Sequence, residues 1–314
     1  MSVDPARWIE RTLINPETSE PFVLTKAERR FLKHAFKLTP DGRLKYPELI
    51  WSAPKKSGKT AFGAMLLLYV VIVLGGKYAE GYTAANDFEQ SQGRVFQAAK
   101  RIVAASPILA GDATITASKI EFASSGATIT ALANDYAGAA GANPTITVFD
   151  ELWAYTTERS HRLWDEMVPP PTRKIACRLT VTYAGFLSES TLLEELYKRG
   201  MAGERLGPDL YAAGGMLCFW TSDFVGPWQT EAWREEMRAA LRPNSYLRLI
   251  ENQWVTSEAA FVSMDWWDAC VDTTATPLVV DPELPVWVGV DASTKRDSTA
   301  IVACSWDDHR RMVR

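Results

Sequence analysis

The stretch Ala53-Pro54-Lys55-Lys56-Ser57-Gly58-Lys59-Thr60 decides the reading of this chain, because of what stands on either side of it. Before it come Leu49, Ile50 and Trp51, a short apolar run of strand character. After it, from Thr60 to Leu74, the chain is apolar on every face, which predicts a buried helix stopping at Gly75-Gly76. Strand, glycine-containing loop and buried helix in this order make a phosphate-binding loop, with Ala53 in place of the usual first glycine. The residue types carry the chemistry. Gly58 lets backbone amides approach an anion, Lys59 neutralises β and γ phosphate oxygens, and Thr60 offers a hydroxyl to Mg2+. The helix that starts here turns its positive end towards the phosphates. Lys55 and Lys56 add two cations at the entry of the loop. The expected nucleotide-binding set is therefore Lys55, Lys56, Ser57, Gly58, Lys59 and Thr60.

Working outward, the second half of a nucleotide site should be acidic and lie at the end of a neighbouring strand. Ile146-Thr147-Val148-Phe149-Asp150-Glu151 supplies it. An apolar strand ending in adjacent carboxylates places both at the carboxyl edge of the sheet, where open α/β folds bind ligands. Asp150 is expected to hold Mg2+ through water. Glu151 is expected to orient or deprotonate an attacking water, with Lys59 as its catalytic companion.

The remaining pattern predicts helix over 5–38, strand over 78–83, helix over 86–104, strands over 114–116, 120–122 and 128–130, helix over 157–168, and strand over 177–183. Strands alternating with helices indicate an α/β fold with a mostly parallel central sheet flanked by helices. The Pro-rich break at 276–285 reads as a linker, and the strand Val286 to Val290 opens a new unit. A phosphate-loop domain over 1–275, ending in a helical lid segment, is thus expected before a second piece over 286–314. Glu231, Arg234, Glu235, Glu236 and Arg238 read as a solvated helix face.

With 47% hydrophobic and 23% charged residues, the chain has the composition of a soluble globular protein. A net charge of −4 gives no global pull towards nucleic acid, so any DNA contact must come from a local basic surface or from assembly. Cys177, Cys218, Cys270 and Cys304 lack paired spacing, and His34, His161 and His309 lack metal-ligand spacing. The start has no signal-peptide core, and the apolar run of 61–74 is too short to span a membrane, so a soluble intracellular protein is expected.

Taken in order, Lys55-Lys56-Ser57-Gly58-Lys59-Thr60, Tyr82-Thr83-Ala84-Ala85-Asn86 and Val148-Phe149-Asp150-Glu151-Leu152-Trp153 resemble the ATPase domain of the large terminase subunit of tailed bacteriophages. Thr180-Val181-Thr182-Tyr183-Ala184-Gly185 looks like that family's coupling motif, which points to Thr182 and Gly185. Trp228-Gln229-Thr230 through Asn252-Gln253-Trp254-Val255 is similar to the segment after the ATPase core. Val288-Gly289-Val290-Asp291, with Asp297 and Thr299, looks like the first strand of the family's RNase H-like nuclease. The ordered set carries the likeness, and it covers nearly the whole chain.

The resemblance implies a phosphate-loop ATPase of the additional-strand class, with ATP and Mg2+ as cofactors. It further implies a homo-oligomeric ring on the portal protein, a small terminase subunit as partner, and double-stranded DNA driven into a procapsid in the host cytoplasm. The implied nuclease cuts concatemeric DNA with two Mg2+ or Mn2+ ions, and Asp291 would be its first metal ligand. The other ligands of relatives lie beyond Arg314, so a truncated nuclease domain without activity of its own is expected. A trans-acting arginine is expected too, yet 131–144 contains none; Arg159, Arg162 and Arg173 are substitutes by proximity in sequence. Leu24, Thr25 and Glu28 lie where an adenine clamp would be. A nucleotide-gated assembly protein, or an inactive prophage remnant with the same fold, is the alternative reading.

Overall fold

The computed structural model describes residues 3–84, 93–132, 141–256, 268–271, 285–291, 300–307 and 312–313. In place of one helical stretch over 5–38 there are two helices, α1 (Pro5–Thr12) and α2 (Lys26–Ala35). Each has its own cap. Asp4 accepts from the Arg7 amide, and Thr25 and Glu28 form a reciprocal capping box. Between them Pro16 and the left-handed Ser19 (φ 61°) turn the chain back, and Ile14 pairs with Pro21. A proline and a positive φ interrupt a helix whatever periodicity flanks them. Phe31, Leu32 and Ala35 of α2 are buried.

β1 (Glu48–Ser52) runs through the loop into α3 (Lys59–Tyr69), which is buried from Phe62 onwards. It continues as a π-helical turn over Val70–Leu74 and stops at Gly75-Gly76, where Gly76 takes φ 72°. Then come β2 (Glu80–Ala84), α4 (Arg94–Ala105), α5 (Pro107–Ala110), β3 (Ala113–Ile115), β4 (Lys119–Phe122), β5 (Ala127–Leu132) and β6 (Ile146–Asp150). The helix expected from 86 is observed from Arg94; Ala85, Asn86 and the rest of 85–92 lie outside the described residues. α6 (Glu158–Glu166), β7 (Cys177–Thr182), α7 (Thr191–Met201), β8 (Glu204–Gly207), β9 (Leu210–Ala213), β10 (Met216–Trp220), α8 (Glu231–Ala240) and α9 (Pro243–Leu249) follow.

The sheet runs β3-β4-β5-β2-β6-β7-β1-β10-β9-β8. From β5 to β10 every pairing is parallel; the flanking strands are antiparallel. This division follows from burial. β6 is buried at every position, as a strand covered on both faces must be, whereas β4 alternates exposed and buried. Helices cover both faces. Trp51 stacks on Phe219 at 4.2 Å and packs with Phe31 of α2 and Phe62 of α3. On the other side Phe149 packs against Tyr155 and Trp164 of the α6 region.

Two features position the site. Leu179 of β7 is in register with Leu49 of β1 on one side and Val148 of β6 on the other, so β7 lies between the loop strand and the acidic strand. The ends of the parallel strands, Ser52, Ala84, Asp150 and Thr182, all reach one edge. The charged face of 231–238 is α8, which buries no residue and pairs Arg234 with Glu231 and Arg238 with Glu235.

Residues Met1–Ala259 form one compact unit and Ala260–Arg314 a second. In the second, β11 (Val286–Asp291), β12 (Ala300–Asp307) and β13 (Met312–Val313) are antiparallel. The expected linker at 276–285 lies outside the described residues except for Pro285. Among the described residues no helix is long and apolar enough to cross a membrane.

Candidate active site

The loop between β1 and α3 is held from outside. Trp228 Nε1 donates to the Lys56 carbonyl at 2.7 Å, and Gln229 Nε2 to the Lys55 carbonyl at 3.1 Å. The Lys55 amide donates to the Leu249 carbonyl at 2.7 Å. Two loop residues take left-handed backbone, Lys56 (φ 68°) and Gly58 (φ 86°). Gly58 has a second reason to lack a side chain, since a Cβ there would lie 3.2 Å from the Trp228 ring. Lys56 has no such freedom, and strain of this kind gathers at ligand clamps. Lys55 is partly buried beside Lys56, and both effects lower its pKa.

Lys59 is buried, with Nζ at 3.2 Å from Glu151 Oε1 and 4.5 Å above the Tyr183 ring. Glu151 follows β6 in a left-handed conformation (φ 54°), which turns its side chain out of the strand's alternation. Its other oxygen, Oε2, accepts from Trp153 Nε1 at 2.9 Å. Asp150 is buried, and burial first and the Glu151 charge second push its pKa up to about 7, against Lys59 and Arg94. Asp150 Oδ1 and Ser57 Oγ are buried without a hydrogen-bond partner among the described residues. A buried carboxyl with an orphaned oxygen, near a loop that carries hydroxyls, is a donor set that fits a hard divalent cation. Thr60 and Asp150 are the residues that would hold Mg2+. Among the described residues no group of three or more His, Cys, Asp or Glu side chains could hold a metal, but Mg2+ at nucleotides takes only one or two protein ligands.

The end of β7 meets the same loop. The Ala53 amide donates to the Thr182 carbonyl at 3.2 Å, while the Thr182 hydroxyl donates to the Tyr183 carbonyl at 2.9 Å. At Gly185 any Cβ would fall 2.3 Å from Ser190 Oγ. That hydroxyl is already engaged, donating to the Trp153 carbonyl and accepting from the Phe186 amide. Asn252, buried and left-handed (φ 52°), joins three strand ends. Its Oδ1 accepts from the Ala184 amide at 2.7 Å; its Nδ2 donates to the Thr221 carbonyl at 2.8 Å and to Ser52 Oγ at 3.0 Å.

Other expected positions fall elsewhere. Thr25 and Glu28 commit their polar groups to the capping box of α2, and burial raises the Glu28 pKa. Arg173 pairs with Glu80 at 2.9 Å and donates to the Asn143 and Tyr78 carbonyls, at the amino edge of the sheet, opposite the site. Arg162 pairs with Glu158 one turn away, and Arg159 lies on the same helix. Asp291 ends β11 in register with Ala300 in the second unit; Asp297 and Thr299 lie outside the described residues. Sequence reasoning assigned no role to Trp153, Tyr183 or Arg248. The first two sit inside quoted motifs, but nothing local marks Arg248, which tertiary folding alone brings to the site.

The profile of the family described as "Terminase large subunit, ATPase domain" matches residues 42–199, half of the chain. Among solved structures, the large terminase of bacteriophage HK97 aligns with a TM-score of 0.65 at 18% identity, over 98% of this chain and 66% of that one. The large terminase of a thermophilic bacteriophage aligns with a TM-score of 0.56 at 13% identity, over 91% and 66%. A structure of that same thermophilic phage terminase in complex with ADP aligns at 0.52 and 12% identity, over 91% and 66%. At such identities the likeness is one of fold, and this chain spans 66% of the length of those terminases. No curated protein matches the chain in sequence. With the family profile covering β1 through α7, and with β7 set between the loop strand and the acidic strand, the chain belongs to the terminase large subunit ATPase domain family.

Proposed function

We propose that the unit Met1–Ala259 binds and hydrolyses ATP, and that the chain is the motor part of a terminase that drives double-stranded viral DNA into a procapsid. The observation that carries this reading is the meeting of Lys59, Asp150 and Glu151 at the carboxyl edge of the sheet, with Lys59 and Glu151 3.2 Å apart. Ser57, Gly58, Lys59 and Thr60, with Lys55 and Lys56 at the loop's entry, cradle the triphosphate. Thr60 and Asp150 would hold Mg2+, which when bound would supply neutralisation of charge on the phosphate oxygens.

Lys59 is paired with Glu151. A triphosphate competes for that ammonium and releases Glu151 to orient the attacking water, while Trp153 keeps the carboxylate aimed. Ala53 ties the loop to the Thr182 carbonyl, so a shift of the loop on hydrolysis passes into the end of β7 and on through Gly185. The portal protein, a small terminase subunit and a homo-oligomeric ring are the assembly this activity requires, in the host cytoplasm. Residues 286–314 are the first strands of an RNase H-like nuclease domain, in which Asp291 is one ligand for Mg2+ or Mn2+.

The test is steady-state ATP hydrolysis with Mg2+, with and without double-stranded DNA, for the parent, Lys59→Ala and Glu151→Ala. Activity lost in both variants, with ATP binding kept only in Glu151→Ala, supports the assignment, and stimulation by DNA supports the motor. A parent that binds ATP but neither hydrolyses it nor responds to DNA refutes the motor and leaves a nucleotide-gated assembly protein or an inactive remnant.

A further inference from the structure

We propose that Arg248, on the last turn of α9, is a cis-acting cation that contacts the terminal phosphate of the bound nucleotide, so that the lid segment reads triphosphate against diphosphate. This rests on the nucleotide reading above and adds a residue that neither the motifs nor the family profile, which ends at residue 199, contains.

Three observations converge. First, Arg248 is fixed to the phosphate loop through its neighbour, since the Leu249 carbonyl accepts from the Lys55 amide. Second, its guanidinium lies on a shelf of three rings, 4.6 Å from Trp153, 5.2 Å from Tyr183 and 4.4 Å from Phe186. Two of those rings also hold the catalytic pair: Trp153 donates to Glu151, and Tyr183 lies under Lys59. A planar guanidinium stacked on rings is oriented by them, and although Arg248 also hydrogen-bonds the Tyr183 side chain, it has edge donors to spare for a further acceptor. Third, Arg248 Nη1 is buried without a hydrogen-bond partner among the described residues. An orphaned charged donor costs free energy until an acceptor arrives.

Charge decides which acceptor. Arg248 adds its cation to a site already carrying Lys55, Lys56 and Lys59, against two carboxylates, Asp150 and Glu151, the second of which is taken by Lys59 and Trp153. The excess positive charge calls for an incoming anion, and a phosphate oxygen offers the planar, charge-assisted partner that arginine binds best. Because Arg248 stands over Tyr183, whose ring also lies under Lys59, and over Trp153, which donates to Glu151, the last phosphate of a triphosphate is the group assigned to it.

The experiment is calorimetric titration of the full chain with Mg2+ and either ADP or the slowly hydrolysed analogue ATPγS, for the parent, Arg248→Gln, Arg248→Lys and Lys59→Ala. A charge-assisted hydrogen bond predicts that Arg248→Gln weakens ATPγS binding about tenfold to hundredfold and leaves ADP binding within about twofold. Arg248→Lys, which keeps the charge and loses the planar stack, falls between. Equal weakening for both nucleotides, or none, makes Arg248 a packing residue and overturns the proposal. If Arg248→Gln does not fold, unchanged discrimination in Arg248→Lys overturns it equally. A parent that binds neither nucleotide, or binds both undiminished after Lys59→Ala, sinks the nucleotide site itself, which is a separate failure.

Discussion

Replacing Asn252 should damage the fold more than any local feature of its sequence suggests. The side chain is buried and joins the Ala184 amide, the Thr221 carbonyl and the Ser52 hydroxyl, the ends of β7, β10 and β1. In Asn252→Ala the Ala184 amide and the Thr221 carbonyl lose this partner inside the protein, at about 1–3 kcal/mol each. The backbone at φ 52° adds roughly 1 kcal/mol, since alanine resists the left-handed region that asparagine tolerates. The expected loss is therefore about 3–7 kcal/mol, a large share of a typical domain's stability. Asn252→Gly keeps the hydrogen-bond deficit and removes the backbone cost, so it should be more stable than Asn252→Ala by about 1 kcal/mol. Urea unfolding followed by tryptophan fluorescence reports this, because Trp51 and Trp220 lie in the strands that Asn252 ties together. A loss below about 1 kcal/mol in Asn252→Ala, or an alanine variant more stable than the glycine one, would refute the reasoning.

Two further outcomes follow from packing and charge. Burial raises the thiols of Cys177 and Cys218 to about 12, because it disfavours the thiolate, whereas Cys270 is exposed. At pH 8 only about one in ten thousand of the buried thiols is ionised, so Ellman's reagent should label Cys270 in seconds to minutes and Cys177 and Cys218 only on unfolding; rapid labelling of either buried thiol in the folded protein contradicts this. Gly185→Ala puts a methyl 2.3 Å from Ser190 Oγ and 2.5 Å from its Cβ, so it should destabilise by about 1–3 kcal/mol and slow hydrolysis. Adding Ser190→Gly should recover part of the stability, and a Gly185→Ala protein that melts with the parent would show that the end of β7 yields freely.

How much of this was legible beforehand depended on the range of the forces involved. Burial patterns are local: the apolar run after Thr60, the run ending in Asp150-Glu151 and the alternation of 113–132 announced α3, β6 and the hairpin strands at nearly their observed places. The residues proposed to hold the nucleotide could be singled out for the same reason, since one loop and one strand end contain them. The helix expected over 5–38 was misread because side-chain periodicity continues across a break that Pro16 and Ser19 impose on the backbone. The order of strands was not written in any window. That β7 lies between β1 and β6, and that Arg173 faces the edge opposite the site, follow from sheet pairing between distant segments. Arg248 on its aromatic shelf and Asn252 among three strand ends are further cases. Their partners stand far away in sequence, and a side chain's surroundings there are set by the closing of the fold. By itself, then, the sequence determined the elements and the chemistry each could offer; only the tertiary structure decided which residues share an edge, because hydrogen-bond register and packing act between elements and leave no period within them.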